Sequence, residues 1–157
     1  MKMGYEPGPK ITNRPYGNAR RVPFTLDGKD YVSRSQTEAA FANLLEMLRG
    51  AERILEAKYE HKTFWFDGIK RGTVSYLPDF WVKWDNGEEV VYECKSSAND
   101  LKAKDITKYK RMAKYHPDVT LVLVLPRRPG KRSVKGRIKV ADAEKYVDHV
   151  WYLSDSR

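Results

Sequence analysis

The stretch that decides the fold runs from Tyr76 to Ser96, YLPDFWVKWDNGEEVVYECKS. Two apolar-rich segments, Thr73 to Trp84 and Glu88 to Ser96, flank Asp85-Asn86-Gly87, so the reading is a β-hairpin. The length of its loop sets which side chains meet. A two-residue loop, Asn86-Gly87, places Asp79 opposite Cys94 and on the other side of the sheet from Glu93. A three-residue loop, with Gly87 left-handed in a G1 bulge, places Asp79 directly across from Glu93, with Lys95 on the same face. In that second register Phe80, Val82, Trp84, Val90 and Tyr92 gather on the reverse face as a core layer, and Cys94 points into it. The apolar residues therefore favour the register that unites Asp79, Glu93 and Lys95.

Working outward, Ser35 opens a helix in which Phe41, Leu44, Leu45 and Leu48 form one apolar stripe, closed by Gly50. Leu55 to Phe66 alternates as a half-exposed strand. After the hairpin, a second helix is expected from about Asn99 to Tyr115, with Ile106, Tyr109, Met112 and Ala113 as its stripe, ending before Pro117. Val119 to Leu125 is apolar on both faces, as a central buried strand requires. Ala141 to Val147 suggests a short helix and His149 to Leu153 a last strand. Upstream, VPFTL and KDYVS flank Asp27-Gly28 as another hairpin. Residues 1–21, rich in Gly, Pro and Asn with scattered basic residues, read as a flexible basic arm, and residues 22–157 as one domain. The order is an N-terminal hairpin, then α, β, β, β, α, β and a small cap: an α/β protein whose mixed sheet has helices on both sides.

The chain of 157 residues suits a single domain, and its 41% hydrophobic content excludes global disorder. Its apolar runs fall far short of the ~20 residues a membrane helix needs, and no apolar leader segment is visible in MKMGYEPGPK. With Cys94 as its one cysteine, it is expected in a reducing cytoplasm. The 30 Lys and Arg outnumber the 21 Asp and Glu, and the excess is concentrated: 13 basic and 2 acidic residues lie between Lys102 and Lys139. Such a concentration points to a polyanion, with nucleic acid first, against the blander reading of a solvated basic face. Candidate phosphate contacts are Arg14, Arg20 and Arg21 in the arm, Lys102 and Lys108 on the second helix, and Arg127, Arg128, Lys131 and Arg132 in the loop Pro126 to Lys139.

Four positions carry the candidate chemistry: Glu38, Asp79, Glu93 and Lys95. Glu-x-Lys occurs three times and Pro-Asp twice, yet only one pairing joins a Pro-Asp at the start of one hairpin strand to a Glu-x-Lys near the end of the next. Adjacent carboxylates repel unless a cation lies between them, and hard oxygen ligands suit Mg²⁺, with Mn²⁺ able to substitute. Such an ion polarises a phosphoryl oxygen and acidifies water, and a nearby ammonium orients that water or stabilises developing charge. Asp79 and Glu93 are thus the metal ligands, with the backbone carbonyl of Cys94 as a further donor, and the reaction expected is phosphodiester hydrolysis. Two plainer readings compete. Glu93 and Lys95 could be solvated strand residues and Asp79 a turn carboxylate, and Ser35-Gln36-Thr37-Glu38 is a capping box that alone accounts for a glutamate there.

The spread Glu38, Pro78-Asp79, Glu93-Cys94-Lys95 resembles the PD-(D/E)xK nuclease superfamily, with its restriction-endonuclease-like αβββαβ core, over residues 33–125. Within it the chain is most similar to small Holliday junction resolvases, the archaeal type and bacteriophage endonuclease I. The likeness lies in Tyr76-Leu77-Pro78-Asp79-Phe80, Glu93-Cys94-Lys95-Ser96-Ser97 and His116-Pro117-Asp118-Val119. An Asp-Gly hairpin feeding a Ser-x-x-Glu helix also resembles phage-encoded nucleases, which implies the host cytoplasm. The resemblance implies metal ligation by Asp79 and Glu93, a catalytic Lys95, a contribution from Glu38, and a homodimer cutting branched four-way DNA junctions in recombination or repair. A duplex or flap nuclease of phage repair or packaging, and a non-catalytic DNA-binding module on a nuclease scaffold, are the alternatives. Two features depart from archaeal-type resolvases: some 35 residues precede the helix glutamate, and the basic loop 126–139 matches no family motif.

Overall fold

The computed structural model describes residues 21–130 and 138–156. Most of the expected arm, including Arg14 and Arg20, lies outside the described residues, as do Lys131 and Arg132. β1 (Val22–Leu26) and β2 (Lys29–Ser33) pair antiparallel through a turn in which Asp27 and Gly28 take φ of 49° and 79°, the two positive values a type I′ turn needs. Helix α1 (Gln36–Gly50) follows, and the Ser35 hydroxyl accepts the Glu38 N–H at 3.3 Å to cap it. Phe41, Ala42 and Leu45 on its apolar face are fully buried.

The main sheet has five strands, β3 (Ile54–Tyr59), β6 (Phe80–Trp84), β7 (Glu89–Cys94), β8 (Thr120–Leu125) and β9 (His149–Tyr152), side by side in that order. β6 pairs antiparallel with both β3 and β7, whereas β8 lies parallel to both β7 and β9. The two parallel crossovers pass through α2 (Ala103–Tyr115) and α3 (Val140–Glu144). Both pack on one face in a core with Val91, Tyr109, Met112, Leu121, Leu123 and Ala143, while α1 and the β1–β2 hairpin cover the other with Leu26, Phe41, Leu45, Phe80, Val82 and Tyr92. The result is a mixed α/β sheet with helices on both faces. β8 fills its central position as its sequence requires, with Leu121 to Leu125 all buried.

The decisive hairpin has the three-residue loop. Gly87 N–H donates to the Trp84 carbonyl, Trp84 N–H donates to the Glu88 carbonyl, each at 2.9 Å, and Gly87 has φ of 86°. The ladder pairs Phe80 with Tyr92 and Val82 with Val90, so the residue before Phe80 stands across from the residue after Tyr92. Those residues are Asp79 and Glu93.

Three expected elements differ. The strand expected over Leu55 to Phe66 is two, β3 and β4 (Phe64–Trp65), because Glu60 turns to φ of 48° and donates its N–H to the Asp79 carbonyl. The strand expected over Thr73 to Trp84 is likewise split into β5 (Ser75–Tyr76) and β6, since Pro78 has no N–H for a ladder. β4 and β5 pair with each other as a separate two-stranded ribbon. The second helix begins at Ala103, not Asn99: residues 98–100 form a 3₁₀ turn, and the Asp105 carboxylate accepts the Lys102 N–H at 2.9 Å, which fixes the start. Ala113 is exposed, and it is Asp105, 1% exposed, that turns inward on this helix. The last helix ends at Glu144 instead of Val147.

Candidate active site

One end of the sheet collects the chain positions that matter: the end of β3, the residue before β6, the end of β7 and the first turns of α1 and α2. Asp79 is half-buried there, and its Oδ2 accepts the Cys94 N–H at 2.8 Å. The Lys95 N–H instead donates to Val124 on β8 at 3.0 Å. Cys94 thus turns its N–H toward Asp79 while its thiol is buried in the α1-side core. Glu93 is 8% exposed and accepts a hydrogen bond from the Tyr76 hydroxyl. Lys95 extends between two carboxylates, its Nζ 3.9 Å from Glu93 Oε1 and 3.0 Å from Asp105 Oδ1.

The Glu38 side chain does not complete the capping box. The Ser35 half of the capping box is formed, but the Ser35 N–H approaches the Ser33 hydroxyl at 3.4 Å, and Glu38 Oε2 accepts from the Tyr59 hydroxyl at 3.0 Å. The carboxylate thus leaves the cap and faces β3 and β6, close enough to Asp79 for their charges to interact.

Electrostatics follow from this crowding. Burial, then the charges of Glu93 and Glu38, holds the Asp79 carboxyl well above the usual carboxylate range. Burial likewise raises Glu93 to about 7, against the opposing pull of Tyr76, Lys95 and Lys108. Glu38 is raised too, chiefly by burial. Partial burial disfavours the Lys95 ammonium, but Glu93 and Asp105 outweigh it and its pKa rises. The fully buried Tyr109 hydroxyl has no hydrogen-bond partner among the described residues, although Glu93 and Asp105 are near enough to help push its pKa up.

This donor set fits a small divalent ion. Among the described residues no three His, Cys, Asp or Glu side chains converge as a ready-made cage. Two carboxylates and a backbone carbonyl are instead the sparse, all-oxygen set that Mg²⁺ accepts while keeping several waters. Of the other expected residues, Lys108 lies over the Tyr76 ring at 5.7 Å, beside the site, and Lys102 is exposed at the start of α2. Arg21 and Arg127 are exposed. Arg128 is committed within the chain, 2.7 Å from Asp155 and stacked 4.6 Å over Tyr152. Sequence reasoning missed Tyr59, Tyr76, Tyr109 and Asp105. A signal existed for Asp105, the one acid among the lysines of α2, but none marked the tyrosines.

No family model, no curated protein and no solved structure matches the chain. No helix among the described residues is long and apolar enough to cross a membrane.

Proposed function

We propose that this chain is a Mg²⁺-dependent, structure-selective DNA endonuclease of the PD-(D/E)xK kind, cutting four-way junctions as a homodimer. The observation that carries the reading is the cross-strand pair Asp79 and Glu93, with Lys95 on the same strand edge and Glu38 brought in from α1. Keeping these carboxylates together under partial burial costs stability, a cost that an ion-binding, charge-handling task explains and a solvated surface does not.

Asp79, Glu93 and the Cys94 carbonyl would hold the ion, whose chemistry there is polarisation of a phosphoryl oxygen and acidification of water. Lys95, anchored by Asp105, presents its ammonium beside Glu93, where it orients a nucleophilic water or balances charge on the phosphate. Tyr76 fixes the Glu93 carboxylate and Tyr59 fixes Glu38, so neither group reorganises when substrate arrives. Lys108 and the basic residues of α2 give the phosphate backbone a cationic approach.

Incubating the protein and Mg²⁺ with a four-way junction, a flap and a duplex of matched sequence tests the proposal. Preferential, symmetric nicking of the junction is expected. Preference for flap or duplex would retain the chemistry and replace the substrate, and cleavage of none would leave a DNA-binding module.

A further inference from the structure

The β4–β5 ribbon has two faces, because alternate residues of a strand point to opposite sides. Phe64 and Tyr76, paired across it, are 4% and 3% exposed and pack inward, where the Tyr76 hydroxyl reaches Glu93. The outward face carries Trp65, paired with Ser75, and Leu77, the next outward position of that chain segment. Trp65 is 62% exposed and Leu77 40%. Tryptophan is ordinarily well buried, and this indole enters none of the ring or cation–π contacts formed among the described residues.

Its backbone, by contrast, is held firmly. The Trp65 carbonyl lies 2.8 Å from His116 Nε2 at the end of α2, Arg111 donates to the Thr73 carbonyl, and the Phe66 N–H donates to Val74 at 2.9 Å. The surroundings are cationic. Lys62 lies 5.2 Å over Phe64 and Lys114 lies 5.4 Å over Tyr115, both lysines being exposed at the ribbon's flank. Leu77 precedes Asp79 by two residues, about 7 Å of extended chain. A protein partner favours patches from which lysine is depleted, whereas a bare aromatic plane on a ribbon that carries lysines at its edges matches a base and its phosphates.

We infer that Trp65 and Leu77 form a stacking platform for an unpaired nucleobase on the outer face of the ribbon whose inner face reaches the candidate site, with Lys62 and Lys114 neutralising nearby phosphates. The inference rests on the nuclease reading of the neighbouring site and adds to it that the substrate offers splayed or single-stranded bases there. The stacked base lies across the ribbon from the Tyr76–Glu93 contact, so recognition and chemistry share one rigid element.

Fluorescence anisotropy in EDTA tests it without cleavage, using a single-stranded oligonucleotide, a four-way junction and a fully paired duplex. Trp65→Ala is expected to weaken single-strand and junction binding by about tenfold or more, to change duplex binding by less than about twofold, and Trp65→Phe to keep most of the affinity. Equal loss on all three, or no loss, overturns the platform. Sedimentation that shows Trp65→Ala splitting a dimer at unchanged DNA affinity overturns it too, in favour of a subunit contact. Cleavage by the wild type without a Trp65 effect removes only the platform, and a Trp65 effect in a chain that never cleaves removes only the nuclease reading.

Discussion

Replacing Glu93 by Gln should make the metal-free protein more stable while destroying its activity. Gln keeps the shape and an oxygen for the Tyr76 hydroxyl but carries no charge. In the folded chain Glu93 is raised from 4.5 to about 7, chiefly by burial, with the help of Lys95 and Tyr76 already included. A carboxyl whose folded pKa lies above its unfolded one stabilises nothing at high pH: the folded state loses ground as pH rises from 4.5 and has lost it fully above 7. The difference corresponds to on the order of 3 kcal/mol at pH 8, or a rise in Tm of roughly 6–12 °C for a domain of this size. Thermal unfolding followed by circular dichroism in EDTA measures it. The advantage of Glu93→Gln should be largest at pH 8 and shrink as pH falls toward 4.5. Mg²⁺ should raise the Tm of the wild type at pH 8 and leave the variant nearly unmoved. A variant less stable than wild type at pH 8, or a difference independent of pH, would refute the reasoning.

Other expectations are more local. Glu38→Gln should lose most cleavage with no fall in Tm, because the hydrogen bond to Tyr59 survives and the charge, which burial disfavours, does not; full activity would show that the Glu38 charge plays no part in cleavage. Asp105→Ala should reduce cleavage strongly by freeing Lys95 and should also destabilise the start of α2 by about 1 kcal/mol, whereas Asp105→Asn should spare most of the stability but not the rate. Rates equal to wild type in Asp105→Asn would show that Lys95 needs no anchor. Neutralising Arg127, Arg128, Lys131 and Arg132 together should flatten the slope of log K against log salt by up to about four units, less if Arg128 remains tied to Asp155. An unchanged slope would remove this loop from the DNA interface.

What the sequence made legible was what local pattern controls. The turn chemistry of Asp85-Asn86-Gly87 set the hairpin register, and with it which carboxylates face each other. The stripe of α1 and the doubly apolar β8 were readable because burial on a known face leaves a period in the residues. The β4–β5 ribbon was not, because its strands are two residues each and merge with longer alternating stretches. The tyrosines that hold Glu38 and Glu93 were equally hidden: their role depends on tertiary contacts 21 and 17 residues away in sequence. Asp105 stood out in the sequence only as an acid among lysines, and only the fold shows that its carboxylate both caps α2 and holds Lys95.

On the proposed reading, Asp79 and Glu93 hold the metal ion on which DNA cleavage depends. The most direct test of that reading is a single denaturing gel of a labelled four-way junction incubated with Mg²⁺ and either the wild type or Asp79→Asn, with binding of both checked in Ca²⁺. Paired nicks by the wild type, none by the variant, and equal binding by both are expected. Cleavage by Asp79→Asn at the wild-type rate would contradict that reading.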